Sequence, residues 1–362
     1  MYYPTATINF KNFRHNIKYI QSLSKSVELF PVIKANAYGH GYAEIAKILS
    51  EESIKTVCVA TFEEIKEILN LSLKLNILHL GRMTLENSII NNKVIFTINS
   101  LEDIENINNF CSRLDTKIRC HIKVDTGMNR MGCKMNEFNK ILELAIESNH
   151  INLEAIYSHL ACSEDKYSES NKKQILSFNY IKDLTKKYNL KYHLLNSGGI
   201  LNYPNYAFDY IRTGLSIYGV SPLGVVNKNL KPVMKFSAPV ALIKNVYKGE
   251  SIGYGCTFTA ENKMRVAIVQ CGYADGVPRN FENKGIVYYK EYELPILGRI
   301  SMDLICIDIT KVDESVPVKN VIIWGGNHKN SRLEKISEKF NTIPYVYLTG
   351  LSSRVKRVYI EK

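Results

Sequence analysis

Short apolar segments alternate with amphipathic segments between Val27 and Ile211. A short apolar run bounded by polar turn residues predicts a buried strand, and an apolar period of about 3.6 residues predicts a helix. The predicted strands are Val27–Ile33, Thr56–Ala60, Leu75–Leu80, Val94–Ile98, Lys117–Val124, Leu153–Ser158, Lys191–Leu195 and Asp209–Ile211. Helices are predicted, among others, at Asn9–Leu23, Phe62–Leu69, Leu101–Phe110, Glu137–Ser148 and Lys172–Lys187. This alternation is typical of an α/β fold, the TIM-type (β/α)8 barrel.

The pattern changes near Lys231, where helical periodicity nearly vanishes. Runs rich in Val, Ile and Tyr follow, separated by Gly, Asn and Pro, and such runs predict strands. They are Phe236–Val246, Arg265–Cys271, Gly285–Tyr289, Leu294–Leu297, Leu304–Ile309 and Asn320–Ile323, with one helix at Leu333–Phe340. We therefore predict a barrel domain over residues 1–230 and a C-terminal, mostly β domain over residues 231–362, with which the first few residues can also pack.

Composition and charge argue against several classes of protein. The net charge of +12 is spread over helix faces, for example at Lys172, Lys186 and Lys228, and forms no stripe with aromatic residues, so we expect no nucleic-acid binding. No apolar run approaches the ~18–20 residues of a membrane span. No secretory pattern opens the sequence, and the eight cysteines lack Cys-x-x-Cys spacing, which predicts a cytoplasmic protein with reduced thiols. No metal site is predicted, because no His-Glu-x-x-His motif occurs.

Polar residues and glycines follow five of the eight predicted barrel strands. They are Lys34 and Tyr38 after the first strand, Asp125–Arg130 after the fifth, His159 after the sixth, Asn196–Gly199 after the seventh and Arg212–Gly214 after the eighth. Barrels of this type carry their chemistry at the C-terminal ends of the strands. We therefore expect these residues to converge on one mouth.

Lys34 and the glycine turns together point to a cofactor. Burial lowers the pKa of a lysine, which suits a Schiff-base nucleophile, although a lysine at a strand end can also simply reach solvent. Ser197-Gly-Gly and Gly214-Leu215 follow strands where barrels often bind phosphate, although glycines also form ordinary tight turns. An aldehyde cofactor with a phosphate group accounts for both features. Pyridoxal 5′-phosphate (PLP) fits that description.

The most specific motifs in the chain are Val32-Ile-Lys34-Ala-Asn-Ala-Tyr38-Gly-His-Gly, Lys123-Val-Asp-Thr-Gly-Met-Asn-Arg130, Asn196-Ser197, Arg212-Thr-Gly, Gly253-Tyr254-Gly, Gly272-Tyr273-Ala-Asp-Gly and Ser301-Met302-Asp303. In content, order and spacing they resemble the motifs of the alanine racemases, PLP enzymes with a barrel and a β domain. The resemblance implies an isomerase (EC 5.1.1.1) that interconverts L-alanine and D-alanine and supplies D-alanine for peptidoglycan. It also implies a homodimer whose subunits share their active sites.

The resemblance implies two bases on opposite faces of the substrate Cα, as racemisation requires. Lys34 would hold PLP as an internal aldimine and act on one face. Tyr254, from the partner subunit, would act on the other, with His193 as its hydrogen-bond partner. Arg212 would face the pyridine nitrogen. Because a guanidinium stays protonated, that nitrogen would stay unprotonated, and the weaker electron sink would disfavour transamination.

The remaining site residues are also implied by the resemblance. The cofactor contacts would be Tyr38, His159, Asn196, Ser197, Arg212, Gly214, Leu215 and Ser353. The substrate carboxylate would be bound by Arg130 and the backbone of Met302. Lys123 matches a lysine that is often carbamylated and then orients Arg130. Asp303 would support the site, and Tyr273 and Arg299 would line its entrance.

Two residues depart from the family pattern, and alternative functions stay open. Ser353 stands where the family often has Tyr, so one phosphate contact would be shorter or lost. Ser301 stands where the family often has Cys. The alternatives are a racemase of serine or of a broader range of amino acids, an amino-acid decarboxylase of the same fold, and a PLP-binding protein without turnover.

Overall fold

The computed structural model describes residues 3–24, 27–326 and 328–361. The chain divides into two compact units. One, here called the barrel unit, contains Ile17–Ile217 and Ser221–Leu223. The other, here called the β unit, contains Met1–Asn16, Tyr218–Val220 and Gly224–Lys362.

Within the described residues, the barrel unit contains eight parallel strands. They are Glu28–Pro31, Thr56–Val59, Asn76–His79, Val94–Ile98, Ile118–Lys123, Ile151–Tyr157, Lys191–His193 and Tyr210–Thr213. The second to seventh strands form one sheet, and the first pairs with the eighth. Two backbone hydrogen bonds join these sheets, from Ile33 to Cys58 at 2.9 Å and from Arg212 to Leu195 at 3.0 Å. The ring is therefore closed, which confirms the predicted (β/α)8 barrel.

Helices connect the barrel strands at Tyr42–Glu51, Phe62–Asn70, Leu101–Ser112, Phe138–Glu147, Glu169–Thr185 and Ser197–Asn202, and Phe10–Ser22 precedes the first strand. Their apolar faces are buried, as the 3.6-residue period predicts. Local sequence also defines two of their starts. Thr61 and Ser100 accept the N–H groups of Glu64 and Asp103, respectively, as N-cap residues do.

The barrel interior is built from alternate residues of the strands. In the fifth strand, the side chains of Arg119, His121 and Lys123 follow one another along the barrel axis, because successive side chains of a strand point to opposite faces. Each makes a contact across the interior: Arg119 with Asn76, His121 with His193 and Lys123 with the ring of Tyr157. A polar column thus runs through one side of the barrel interior.

The β unit contains an eight-stranded sheet among its described residues, which confirms the predicted mostly β domain. Its strands are Thr5–Asn9, Met234–Val246, Met264–Val269, Ile286–Tyr289, Tyr292–Leu297, Ile305–Asp308, Asn320–Gly325 and Lys356–Ile360. A small hairpin (Ser251–Ile252 and Phe258–Thr259) and the helices Leu333–Lys339 and Pro344–Thr349 complete it. Trp324 and Phe236 are fully buried in its core. Within the described part of the chain, no helix is both long and apolar enough to cross a membrane.

Candidate active site

Lys34 lies directly after the first barrel strand and begins a left-handed turn. The four residues after it, Ala35 to Tyr38, have φ of 52° or 53°. This left-handed region costs L-amino acids about 1–2 kcal/mol per residue, so the surrounding structure must hold the turn. Backbone hydrogen bonds contribute, since the N–H of Gly39 donates to the carbonyl of Ala35 at 3.0 Å. The turn leaves Lys34 half-buried and places the Tyr38 ring in the interior.

The carboxylate of Glu64 connects this turn to the next helix. Its Oε1 accepts the N–H of Ala35 at 2.7 Å, and its Oε2 accepts the N–H groups of Ala60 at 2.7 Å and Thr61 at 3.1 Å. The Thr61 hydroxyl in return accepts the N–H of Glu64, which completes a capping box. One side chain therefore anchors the strained turn beside Lys34 to a regular helix.

Replacing Glu64 by Gln is expected to loosen the lysine turn, because an amide group keeps one acceptor oxygen and turns a donor toward a backbone N–H. Hydrogen bonds to charged groups contribute about 1.5–3 kcal/mol. The amide of Ala35 is therefore expected to exchange at least ~10-fold faster in hydrogen-exchange measurements. Glu63→Gln is the matched control, since Glu63 lies on the same helical turn and, among the described residues, its ion pair is with Lys66 at 3.9 Å. Equal exchange in the two variants would contradict the role given to Glu64.

A small polar cradle lies where the seventh and eighth barrel strands end. Ser197 is buried, and its Oγ accepts the N–H of Gly214 at 3.0 Å. A Cβ atom on Gly214 would lie 2.5 Å from the hydroxyl oxygen of Tyr38, so only glycine leaves this space open. The Oγ of Ser216 is buried beside them and has no hydrogen-bond partner among the described residues. The cradle therefore offers hydroxyl groups to a small anionic ligand, with Leu215 buried behind it.

Arg212 lies inside the eighth strand rather than after it, because pairing with the first strand continues to Thr213. Its side chain is buried among barrel atoms. Nη1 donates to Nδ1 and O of His193, at 2.5 and 3.2 Å, and Nη2 donates to the carbonyl oxygens of Ser158 and Leu194, at 2.6 and 3.0 Å. These bonds use the four terminal N–H groups of the guanidinium. Among the described contacts, the Nε–H is the donor left for a ligand.

His159 lies beside this guanidinium, with its Nδ1 3.3 Å from Nη2 of Arg212. On the other side, Nδ2 of Asn196 is 3.3 Å from Nε2 of His159, while the Asn196 Oδ1 accepts the N–H of Gly199 as the N-cap of a helix. Burial, then the positive charges of Arg212 and Lys123, hold the pKa of His159 well below its usual value. The ring is therefore neutral, and it is suited to pack beside a flat cofactor rather than to donate a proton.

His193 is fully buried, and both of its ring nitrogens have partners inside the barrel unit. Its Nδ1 accepts from Arg212, and its Nε2 is 3.1 Å from Nδ1 of His121. The sequence-based expectation pairs His193 with Tyr254. The structure gives His193 other partners, so its role belongs with Arg212.

Lys123 ends the fifth strand and is only 7% exposed. Burial, with the positive charges of Arg212 and Arg130, lowers its pKa from 10.5 to about 8. The charge of Lys34 acts in the same direction. The barrel mouth thus gathers four cationic side chains, and their combined field favours ligands that carry phosphate or carboxylate groups.

Replacing Lys123 by Met is expected to stabilise the cofactor-free protein by about 1–3 kcal/mol at pH 7 in bicarbonate-free buffer, because a buried cation disappears. The folded pKa of about 8 lies below the ordinary 10.5, so the unfolded chain binds this proton more tightly. The parent protein therefore gains stability from this group as pH rises through that window, and the advantage of the variant shrinks. Denaturant unfolding at several pH values measures this. Lys140→Met, at an exposed helical position, is the control and should show no such trend.

The loop that carries Arg130 is organised by the buried carboxylate of Asp125. Its Oδ1 accepts the N–H groups of three consecutive residues at 3.0 Å each, Gly127, Met128 and Asn129. Burial disfavours the charged form of Asp125, but these hydrogen bonds and Lys134 outweigh it and lower the pKa of the carboxyl group. The loop brings Arg130 to an exposed position at the mouth.

The other predicted site residues lie in the β unit, on exposed turns. Tyr254 stands between Gly253 and Gly255, whose φ values are 76° and 72°, and its side chain is 70% exposed. A Cβ atom on Gly255 would lie 2.6 Å from the guanidinium of Arg299, so glycine allows that arginine to pack against the tyrosine turn. Arg299 is fixed from its far side by Glu282, at 3.2 Å.

A second exposed turn of the β unit holds Tyr273 and Met302 together. The N–H groups of Tyr273 and Ala274 donate to the carbonyl oxygens of Ser301 and Met302, at 3.1 and 3.0 Å. Asp303, the next residue, accepts from Arg354 at 2.7 Å, and Ser353 is the exposed neighbour of that arginine. Tyr254, Tyr273 and Met302 are thus large side chains that this unit leaves open to solvent.

The structure therefore gathers Lys34, Tyr38, Lys123, Arg130, His159, Asn196, Ser197, Arg212, Gly214 and Leu215 at the barrel mouth. It holds Tyr254, Tyr273, Arg299, Met302, Asp303 and Ser353 on turns of the β unit. Sequence reasoning did not assign roles to Glu64, Ser216 or Asp125. The Asp-Thr-Gly turn was a readable signal for Asp125, because Asp side chains commonly accept backbone N–H groups two residues on. Glu64 and Ser216 act through the fold and leave no comparable local signal.

A barrel with a lysine at the mouth of its first strand, a polar cradle and an excess of positive charge defines a class, the barrel enzymes that bind a phosphate-bearing cofactor through a lysine. Comparison with protein families specifies this further. The family model for the alanine racemase N-terminal domain matches residues 8–222, and the model for the alanine racemase C-terminal domain matches residues 233–359. The chain belongs to the alanine racemase family.

Individual relatives agree with this assignment. The chain is 34% identical to the alanine racemase of Vesicomyosocius okutanii subsp. Calyptogena okutanii over 354 residues, which cover 97% of each protein. It is similar in structure to an alanine racemase of Clostridium difficile 630, with a TM-score of 0.91, 33% identity and coverage of 99% of this chain and 96% of the other. The alanine racemase of Bartonella henselae, solved with covalently bound pyridoxal phosphate, gives a TM-score of 0.89 at 34% identity, covering 99% and 100%.

Proposed function

We infer that the protein is an isomerase, a PLP-dependent alanine racemase (EC 5.1.1.1) that interconverts L-alanine and D-alanine. The observation that carries this inference is that Lys34 precedes a left-handed turn which leads to Tyr38 in the polar cradle, at a mouth that also gathers Lys123, Arg130 and Arg212. Three relatives that match 97–99% of this chain at 32–34% identity are alanine racemases, which does not favour a decarboxylase or a PLP-binding protein without turnover.

The residues present fit PLP. The phosphate requires donors and open space, and the unpartnered Ser216 hydroxyl, the Tyr38 hydroxyl and the glycine at 214 supply both. Lys34 supplies the amine for the covalent attachment. When bound, PLP supplies an imine linkage and an electron sink that acidifies the Cα–H of the substrate. Asn196, Ser197, Gly214 and Leu215 complete the cofactor pocket, and the exposed Ser353 of the β unit is proposed as a shorter phosphate contact than Tyr would give.

Arg212 sets the electronic character of the cofactor in this proposal. Its terminal N–H groups are bound to the barrel, so its Nε–H is the group assigned to the pyridine nitrogen. A guanidinium does not give up its proton at physiological pH, so it keeps that nitrogen unprotonated. His159 packs beside the ring as a neutral imidazole. This arrangement favours returning the proton to Cα over transferring the amino group.

Lys34 and Tyr254 are the two proposed bases, one for each face of the substrate Cα. Tyr254 is 70% exposed in the single chain, as is required of a side chain that completes the site of a second copy. We therefore propose a homodimer with shared active sites. Arg130 and the backbone of Met302 bind the carboxylate of alanine, with Tyr273, Arg299 and Asp303 around the entrance.

Lys123 is proposed to carry a carbamate. Its lowered pKa leaves a substantial neutral fraction at mildly alkaline pH, and a neutral amine is the form that reacts with CO2. The carbamate would convert a cation that repels Arg130 into an anion that orients it. The eight cysteines all carry free thiols, which supports the proposed cytoplasmic location, and the proposed use of the product is peptidoglycan synthesis.

The deciding experiment measures the incorporation of deuterium from solvent at Cα, starting separately from L-alanine and D-alanine. Circular dichroism follows the loss of chirality in the same samples. We expect deuterium uptake and loss of chirality from both enantiomers. Serine in the same assay tests the broader range of substrates. Absence of uptake from either alanine enantiomer, in protein shown to contain PLP, would overturn the racemase assignment.

A further inference from the structure

A chain of five polar side chains crosses the barrel core from Arg212 to the opposite end. Nη1 of Arg212 is 2.5 Å from Nδ1 of His193, and Nε2 of His193 is 3.1 Å from Nδ1 of His121. Nε2 of His121 lies 3.9 Å from Oε2 of Glu154, whose two oxygens accept from Nε and Nη2 of Arg119 at 2.6 and 3.0 Å. Both histidines are at most 1% exposed.

The direction of every donor in this chain follows from its first member. A guanidinium only donates, so Nδ1 of His193 is an unprotonated acceptor whenever its hydrogen bond with Arg212 is made. A neutral His193 then carries its proton on Nε2 and donates to Nδ1 of His121, which must also be unprotonated. His121 in turn carries its proton on Nε2, which faces the Glu154 carboxylate. The chain is thus polarised from the Arg212 cation at the barrel mouth to the Glu154 carboxylate, which Arg119 pairs at the other end.

The fold is built to bring Glu154 into this chain. Cys120 pairs with Leu153 and His121 pairs with Ala155, so Glu154 is the extra residue of a β-bulge. A bulge changes the direction in which a side chain points, and bulges are common next to active sites. Here the bulge interrupts the regular alternation of side chains, and the Glu154 carboxylate points toward His121 and Arg119.

Aromatic rings enclose the two histidines. The ring of Tyr157 stacks on His193 at a centroid distance of 4.5 Å and an interplanar angle of 11°. Phe30 and Tyr210 lie against the other sides of His193, at 5.9 and 5.7 Å. The faces of these rings are apolar, so the hydrogen bond between Nε2 of His193 and Nδ1 of His121 lies in a low-dielectric interior, where it is strong and costly to break. Burial first, and then nearby positive charge, hold the pKa of His193 well below its usual value, so the ring is neutral.

We propose that His121 and Glu154 are positioning residues for Arg212. Glu154 selects the His121 tautomer, His121 selects the His193 tautomer, and that tautomer presents the lone pair that fixes the guanidinium. The carboxylate at the far end of the barrel therefore determines how firmly Arg212 is held at the mouth. The consequence for reaction outcome rests on the proposed function, in which Arg212 keeps the pyridine nitrogen unprotonated.

The first test reads the tautomers directly. The full-length holoenzyme, labelled with 15N only in its eight histidines, is examined by NMR, which distinguishes protonated from unprotonated ring nitrogens. His193 and His121 are both expected as Nε2–H tautomers. Glu154→Gln is expected to populate the Nδ1–H tautomer of His121, because an amide can donate to Nε2. His121→Asn retains an acceptor oxygen near the position of Nδ1 and should preserve the His193 tautomer, whereas His121→Leu should not.

The second test is the number of racemisation turnovers per pyruvate formed. Transfer of the amino group of alanine to PLP gives pyruvate and pyridoxamine phosphate, and this ratio does not depend on the fraction of protein that is folded. Glu154→Gln and His121→Leu are expected to lower it about tenfold, which corresponds to 1.4 kcal/mol of lost discrimination. His121→Asn is expected to restore most of it. Asp209→Asn is the matched control, since Asp209 is a carboxylate of similar exposure, 30% against 26% for Glu154. It accepts from Lys191 and from the N–H of Tyr192, and among the described contacts it touches neither histidine.

The outcomes separate this proposal from the proposed function. Unchanged tautomers and an unchanged ratio in Glu154→Gln and His121→Leu, equal to those of Asp209→Asn, would overturn the positioning role. If Glu154→Gln does not fold, the two His121 variants decide the question by the same readouts. If the parent protein shows the expected tautomers, and these tautomers respond to the variants as expected, but alanine is not racemised, the polar chain stands and the proposed function fails.

Discussion

Lys34→Ala is expected to abolish racemisation, with a fall of about a thousandfold or more in turnover. It is also expected to remove the visible absorbance of covalently attached PLP, because no other amine in the described structure occupies the end of the first strand. Both losses follow from one missing group, which serves as the attachment point and as one of the two bases. Absorbance spectroscopy and the deuterium assay measure them on the same sample.

The control for this variant is Lys47→Ala. Lys47 lies on the following helix and pairs with Glu44 on the surface at 2.8 Å, so its loss should leave spectrum and turnover unchanged. A Lys34→Ala protein that kept the visible band and normal turnover would remove Lys34 from the mechanism.

Tyr254→Phe is expected to keep bound PLP and to lose racemisation by about 100- to 10,000-fold, the usual contribution of a positioned acid or base. The aromatic ring stays, and only the hydroxyl disappears. Deuterium should still enter alanine from the enantiomer whose Cα–H faces Lys34. Because the lysine removes and returns the proton on one face, that product should keep its configuration.

Exchange without inversion is therefore the signature to look for, measured by mass spectrometry and chiral chromatography together. Tyr247→Phe supplies the comparison, since Tyr247 is another exposed tyrosine of the β unit, 54% accessible to solvent. Normal inversion in Tyr254→Phe would assign the second proton transfer to another group.

The barrel was predictable because its strands and helices carry separate periodicities that short windows reveal. The strand Val94–Ile98 has the predicted bounds, and all five of its residues are buried. The strands Thr5–Asn9 and Lys356–Ile360 were missed for the opposite reason. They pair with each other from the two ends of the chain, and no local pattern reports so distant a partner.

Within the site, the residues proposed to contact the ligand were easier to predict than the residues that position those side chains. Lys34, Arg130 and Arg212 stand out because charged groups are unusual beside buried strands. The left-handed turn was not predictable, since Ala-Asn-Ala-Tyr contains no glycine, and Asn, which does adopt positive φ, usually does so as a single residue. The position of Glu154 depends on a bulge, and a bulge depends on the register between two strands. Such features follow from tertiary structure, which overrides local preference.

The left-handed turn after Lys34 also limits how this protein can vary over evolutionary time. Ala35 and Ala37 occupy positions where a β-branched side chain would collide with its own backbone, so Val, Ile and Thr are closed to them. Glycine would relieve the strain, but it would raise the conformational entropy of the unfolded chain and so make the turn more costly to form. We therefore expect fewer tolerated substitutions at Ala35 and Ala37, beside the reactive amine, than at the exposed positions of the helix Tyr42–Glu51 that follows.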